Sequence, residues 1–195
     1  MRAILLVLLS TIASTAFAAG TMTLAWEPVS NPSVRGYVIH YGPGAGNYNA
    51  TVDVGNITTA VVSNLTEGTS YDFAVAAYDA SHTEGLLSND VEGTVQYTAP
   101  VASFTASVVS GAAPLALNFM NSSTGSITSY SWNFGDGTTS TAASPAKVYS
   151  NAGTYTVALT VTGPAGSNTS TETNYITVTA GGDKTPPGHT RRRPH

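Results

Sequence analysis

The chain has 195 residues, eleven acids against seven lysines and arginines, and only 9% charged residues in all. It contains no cysteine, which excludes disulfides, thiolate metal sites and a lipidated amino terminus. Between residues 20 and 180, ten acids face only Arg35 and Lys147, a net charge of −8, and such a body is a poor nucleic-acid binder because phosphate neutralisation needs clustered cations.

The first residues have the pattern of an export leader. Arg2 supplies a basic start, Ala3 to Ile12 is an apolar run too short to span a bilayer, and Ala16-Phe17-Ala18 fits a small-x-small cleavage site at Ala16 and Ala18. A cleaved signal peptide over 1–18 is therefore expected, with a secreted or cell-surface product. No later run of about 18 apolar residues occurs, so no membrane-spanning helix is expected. About 175 residues remain, enough for two small domains.

From Thr21 the chain alternates with a period of two. Met22, Leu24 and Trp26 share a face, as do Tyr37, Ile39 and Tyr41, and then Tyr71, Phe73, Val75 and Ala77. Turn signals separate these runs at Asn31-Pro32, Gly42-Pro43-Gly44 and Glu67-Gly68. The residues Thr23-Leu24-Ala25-Trp26, Gly36 to Tyr41 and Leu65-Thr66-Glu67-Gly68-Thr69-Ser70-Tyr71 resemble a fibronectin type III domain over about 20–97. That resemblance implies a β-sandwich with Trp26, Tyr37 and Leu65 in the core and Tyr71 as a tyrosine corner whose hydroxyl meets the backbone. The loop Ser81–Gly85 has no Arg-Gly-Asp, so integrin-type adhesion has no support.

The second half begins after Tyr97 to Pro100, a linker short and stiff enough to predict an end-to-end arrangement. Tyr130, Trp132 and Phe134 fall on one face of a strand, and Gly135-Asp136-Gly137 supplies a turn in which glycine permits positive φ and Asp bonds its own backbone. Tyr149 follows, and then Gly153 opens a strand with Tyr155, Val157, Leu159 and Val161 on one face. Two such strands need a second sheet to cover them. The run Trp132-Asn133-Phe134-Gly135-Asp136-Gly137, with Pro145-x-Lys147-x-Tyr149 and Gly153-x-Tyr155-x-Val157, resembles a PKD domain over about 98–180. Lys147 departs from the family pattern, which has histidine there; a packing or hydrogen-bonding role is all that this position implies. The fold expected is all-β: two tandem immunoglobulin-like β-sandwiches after a cleaved signal peptide. A module pair of this kind points to a bacterial exoprotein.

Chemistry is sparse. Trp26 and Trp132 lie in the apolar register and belong to cores rather than to sugar-stacking platforms. The aromatics left to face solvent are Tyr48, Tyr78 and Tyr97, the candidate ligand-binding residues. Asp79, Glu84 and Asp90 lie near one loop, but no Asp-x-Asp-x-Asp spacing marks calcium, and Asp136 is explained by its turn. His40, His82, His189 and His195 show no zinc spacing, no Gly-x-Ser-x-Gly marks a nucleophile, and no carboxylate pair stands out for glycoside hydrolysis. No catalytic residue, metal or cofactor is implied. The five Asn-x-Ser/Thr sequons, at Asn49, Asn56, Asn64, Asn121 and Asn168, match what an Asn-, Ser- and Thr-rich chain holds by chance.

The last residues, 181–195, have the composition of a Gly/Pro/Arg tail with a net charge of +3. The functional expectation is a secreted, non-catalytic modular protein for extracellular binding, adhesion or spacing, with an extracellular protein or polysaccharide as partner. Two alternatives stand beside it: an accessory fragment of a longer exported hydrolase (chitinase, cellulase or protease), and a stand-alone carbohydrate-binding protein. Sheet edges also permit weak self-association by strand addition.

Overall fold

Alternation of apolar and polar residues becomes two pairs of packed sheets, with no helix among the described residues. The computed structural model describes residues 4–6, 20–44 and 46–182. The tail from 183 lies outside this range, as does the expected leader except for Ile4–Leu6. The chain divides into two units, Met1–Thr98 and Ala99–His195.

In the first unit, β1 (Ile4–Leu6), β2 (Met22–Glu27), β3 (Gly36–Gly42), β4 (Ala50–Gly55), β5 (Thr59–Val62), β6 (Ser70–Tyr78) and β7 (Val91–Thr94) form two sheets, ordered β1-β2-β5 and β4-β3-β6-β7. Ile4, Leu5 and Leu6 pair antiparallel with Glu27, Trp26 and Ala25 through the backbone, so part of the expected leader runs alongside β2. Leu24, Trp26, Ile39, Phe73 and Val75 meet between the sheets, each at most 4% exposed. Side chains of this size each contribute about 1.5–3 kcal/mol when fully buried, and no disulfide supplements them. The Trp26 and Tyr37 rings meet edge to face at 5.6 Å. The Tyr37 hydroxyl accepts the Val29 amide at 2.9 Å.

In the second unit, β8 (Phe104–Ala106), β9 (Ser110–Ala112), β10 (Leu115–Asn121), β11 (Ser129–Asn133), β12 (Thr139–Ser140), β13 (Ala146–Tyr149), β14 (Gly153–Gly163) and β15 (Gly166–Thr179) make sheets ordered β13-β10-β8 and β12-β11-β14-β15-β9. Trp132 is fully buried and lies 5.1 Å from the Phe104 ring and 5.3 Å from the Phe119 ring. Its indole Nε1 donates to the Ala142 carbonyl at 2.9 Å, so this tryptophan joins the core to a loop. Between Tyr155 and Val157 the β14–β15 register shifts, and Asn174 takes a φ of 55° opposite the Thr156 hydroxyl, which accepts the Asn174 amide. The shift is a bulge in β15 that the strict alternation of β14 does not announce.

Candidate binding surface

The residues that identify each sandwich are engaged in holding it. Tyr71 accepts the Thr66 amide at 3.2 Å, closing a loop five residues upstream. Leu65 is 6% exposed, and its amide donates to the Gly20 carbonyl. The Gly135 amide donates to Asn133 Oδ1 at 2.9 Å, and the Thr138 amide and hydroxyl donate to Asp136 Oδ1. Gly135 has a φ of 78°, and a Cβ there would sit 2.4 Å from the Thr156 carbonyl oxygen, so both conformation and space require glycine. Tyr149, 1% exposed, donates its hydroxyl to the Phe134 carbonyl and stacks on Tyr155 at 4.4 Å. Gly153 opens β14 beneath the Tyr155 ring.

Lys147 closes this group. Its Nζ lies 2.6 Å from Asp136 and donates to the Thr138 hydroxyl, between the Phe134 and Tyr149 rings at 5.1 and 5.2 Å. Burial alone would raise the Asp136 carboxyl, but the hydrogen bonds from Lys147 and Thr138, with the Lys147 charge, hold it below the ordinary carboxylate range. A cation with a flexible stem therefore occupies the departing position and adds an ion pair to the turn. Sequence reasoning assigned Asp136 to the turn and missed its partner, although Lys147 is the one base between residues 99 and 180.

The three candidate tyrosines do not share one solvent-facing role. Tyr78 is a correction: it is 7% exposed, packed over Gly36, stacked on His82 at 4.6 Å, and it donates its hydroxyl to Asp53. It ends β6 with its ring folded under the following loop, which alternation alone cannot show. Tyr48 is half-buried, with its hydroxyl on Asp90 and its ring edge toward His40. Burial, then the Asp90 hydrogen bond, then the charges of Asp90 and Asp72 push its phenol up to about 12. Tyr97 is 43% exposed and covers Gly68, where a Cβ would meet its ring.

What the first unit does assemble is an acidic face. Residues with the parity of Asp72 point away from the core of the β4-β3-β6-β7 sheet: Asp72 is paired with Glu92 across the strands, and His40 and Asp53 lie on the same face. Glu84 folds back to place Oε2 2.6 Å from His40 Nε2. Asp79 is taken up by its own turn, accepting from Ser81 and Thr83, and these bonds hold its carboxyl below the ordinary range. Asp72 differs from all of them. It is 8% exposed, and burial first, then the charges of Glu92 and Asp90, push its carboxyl up. Its position gave no sequence signal beyond strand alternation.

No group of three or more His, Asp or Glu among the described residues is arranged to hold a metal ion. In the second unit, a groove on the outer face of β13-β10-β8 is lined by Ser107, Ala116, Asn118, Ala146 and Val148, with Lys147 beside it already bound to Asp136.

The fold and these landmarks can be set against known families. A fibronectin type III domain model matches residues 11–94, and a PKD domain model matches residues 97–178. The chain carries a fibronectin type III domain followed by a PKD domain. Both domain types are non-catalytic. The fibronectin type III match begins at residue 11, inside the segment expected as leader.

Among relatives, the chain is 54% identical over 57 residues to collagenase ColA of Bacillus cereus, which covers 29% of this chain and 6% of that protein. It is 45% identical over 73 residues to the pre-pro-metalloprotease PrtV of Vibrio cholerae, 37% of this chain and 8% of that one. It is 41% identical over 87 residues to chitinase A1 of Niallia circulans, 44% of this chain and 11% of that one. The chain thus spans about a tenth or less of the length of these relatives. Among the described residues no helix is long and apolar enough to cross a membrane.

Proposed function

We propose that this fibronectin type III–PKD chain is an exported bacterial binding and spacing module that engages an extracellular protein or polysaccharide without chemically altering it. The observation that carries this reading is the use of the conspicuous residues: Trp26, Tyr37, Tyr71, Trp132, Asp136 and Tyr149 hold cores and turns, and none converges on a reacting group. Export rests on the basic-apolar-small pattern of residues 1–18. Cleavage after Ala18 would also remove β1 and leave the Ala25–Glu27 edge of β2 unpaired, which supports strand addition as one route of association.

A second reading is favoured by the relatives. A collagenase, a metalloprotease and a chitinase each contain a stretch similar to 57–87 residues of this chain, 29–44% of it, and on this reading the chain serves as an accessory part of a longer exported hydrolase, holding the enzyme on an insoluble substrate. The intact mass of the native protein from its own source separates the two. A mass matching residues 19–195 fits a free-standing binder, and a much larger mass fits the accessory part. A mass that still includes residues 1–18 would contradict leader cleavage in both readings.

A further inference from the structure

We propose that the β2 edge, opened when the leader is removed, pairs with the same edge of a second copy of this chain and joins two fibronectin type III domains through one continuous sheet. The proposal rests on the leader cleavage in the reading above and names what then occupies the edge. Three observations carry it.

The first is that a strand already sits there. Ile4, Leu5 and Leu6 pair antiparallel with Glu27, Trp26 and Ala25, so this edge accepts an extended segment. The Trp26 amide donates to the Thr58 carbonyl on the β5 side at 3.0 Å. Strand alternation therefore turns the amides and carbonyls of Ala25 and Glu27 the other way, toward β1. Cleavage after Ala18 takes β1 away and leaves these groups at an open edge.

The second is that no adjoining segment remains to cover them. The new first residue, Ala19, directly precedes Gly20, whose carbonyl accepts the Leu65 amide at 2.8 Å. Gly20 is buried, and a Cβ on it would lie 2.2 Å from the Leu65 carbonyl oxygen, so its place is fixed. One residue ahead of a fixed glycine does not reach back along Ala25–Glu27. The fibronectin type III match begins at residue 11, so leader and domain overlap over residues 11–18 and cleavage cuts into the matched region.

The third is the fit of the edge to itself. Two strands related by a two-fold axis run antiparallel, as β1 does to β2, and such a contact closes as a dimer rather than continuing into a fibre. Leu24 and Trp26 form the buried row of β2, and Thr23, Ala25 and Glu27 the other row. Centred on Ala25, the register sets Leu24 against the partner's Trp26 and Glu27 against the partner's Thr23. The apolar rows of the two copies then run on into each other. Centring on Glu27 would instead oppose two carboxylates. The acidic body of each copy repels the other at long range, so salt that screens this charge should strengthen the pairing.

The test uses the full chain expressed for export and recovered outside the cell, where its mass reports leader removal, with sedimentation velocity over a range of concentrations and two salt levels. A chain of the mass of residues 19–195 is expected to dimerise, more tightly at high salt. Ala25→Pro removes an amide that faces the open edge and leaves the β5 ladder intact, so it should raise the dimer dissociation constant at least about tenfold. Val61→Pro makes the same change at the outward amide of β5, beside Thr23, and should leave the dimer unchanged. Should Ala25→Pro fail to fold in thermal unfolding, Ala25→Cys decides. The chain has no cysteine, and the two Ala25 positions of the dimer stand about 5.5 Å apart between Cα atoms, within disulfide reach. Mild oxidation should therefore link Ala25→Cys chains in pairs and leave Val61→Cys chains single. A processed chain that stays monomeric up to about 1 mM overturns this proposal alone and leaves the binding reading intact. A dimer that Ala25→Pro does not weaken, or that Val61→Pro weakens equally, overturns it in favour of another interface. A recovered mass that still includes residues 1–18 overturns it together with leader cleavage.

Discussion

Lys147 and Asp72 are the two residues whose chemistry departs most from what their neighbours suggest. Lys147 joins turn and core in the PKD domain, with side-chain exposures of 11% for the lysine and 21% for Asp136. Replacing it by methionine keeps the stem and strands the Asp136 charge, at a cost of about 2–4 kcal/mol in urea unfolding at pH 7. The carboxyl of Asp136 titrates below its ordinary 3.8 in the folded state, so the pair adds stability above that value and loses it as pH falls through the folded value. The Lys147→Met penalty should therefore shrink in acid. Asp72 has the opposite sign. Its folded carboxyl is raised above 3.8, so ionisation weakens the fold above the folded value and the penalty vanishes below 3.8. Asp72→Asn should raise the melting temperature of the first module at neutral pH and leave it unchanged in strong acid. Neither role was legible in sequence. A lysine in a histidine's place says nothing about a partner eleven residues upstream, and an aspartate in a strand says only which way it points.

At the scale of elements, period-two alternation foretold the inner faces of β2, β3, β11 and β14, because a strand buried on one side has no other way to hide its apolar residues, and it foretold the inner face of β6, which is covered on its outer face too. It fails where a strand is covered on both faces, as at Ala74 and Ala76 of β6, and where a strand ends or shifts. Tyr78 has the outward parity of β6 yet is buried, because the loop after it folds back so that the Gly85 and Ser88 amides reach the Ala77 and Val75 carbonyls. The β15 bulge at Asn174 escapes alternation for the same reason. The two glycines of the Gly-Asp-Gly turn were expected to act alike, and their surroundings separate them. Gly137, at φ 85°, has open space where a Cβ would go, whereas Gly135 meets the Thr156 carbonyl. Gly137→Ala should cost about 1–2 kcal/mol for the backbone alone, and Gly135→Ala distinctly more, in chemical denaturation of the second unit. Equal costs would contradict the close approach of Gly135 to β14.

For the whole molecule, the two cores share no residue: one gathers around Leu24, Ile39 and Phe73, the other around Phe119, Trp132 and Leu159. Residues 99–182 expressed alone should give a cooperative unfolding transition and dispersed amide resonances, and a collapsed or unfolded fragment would contradict this. The central claim is that the chain binds its target and leaves it chemically unchanged. The most direct measurement incubates the purified protein with insoluble collagen, chitin, cellulose and peptidoglycan, and follows both the protein on the pellet and soluble products in the supernatant. The account predicts retention on at least one of these materials with no product released. Release of soluble fragments, or the absence of retention on all four, would contradict it.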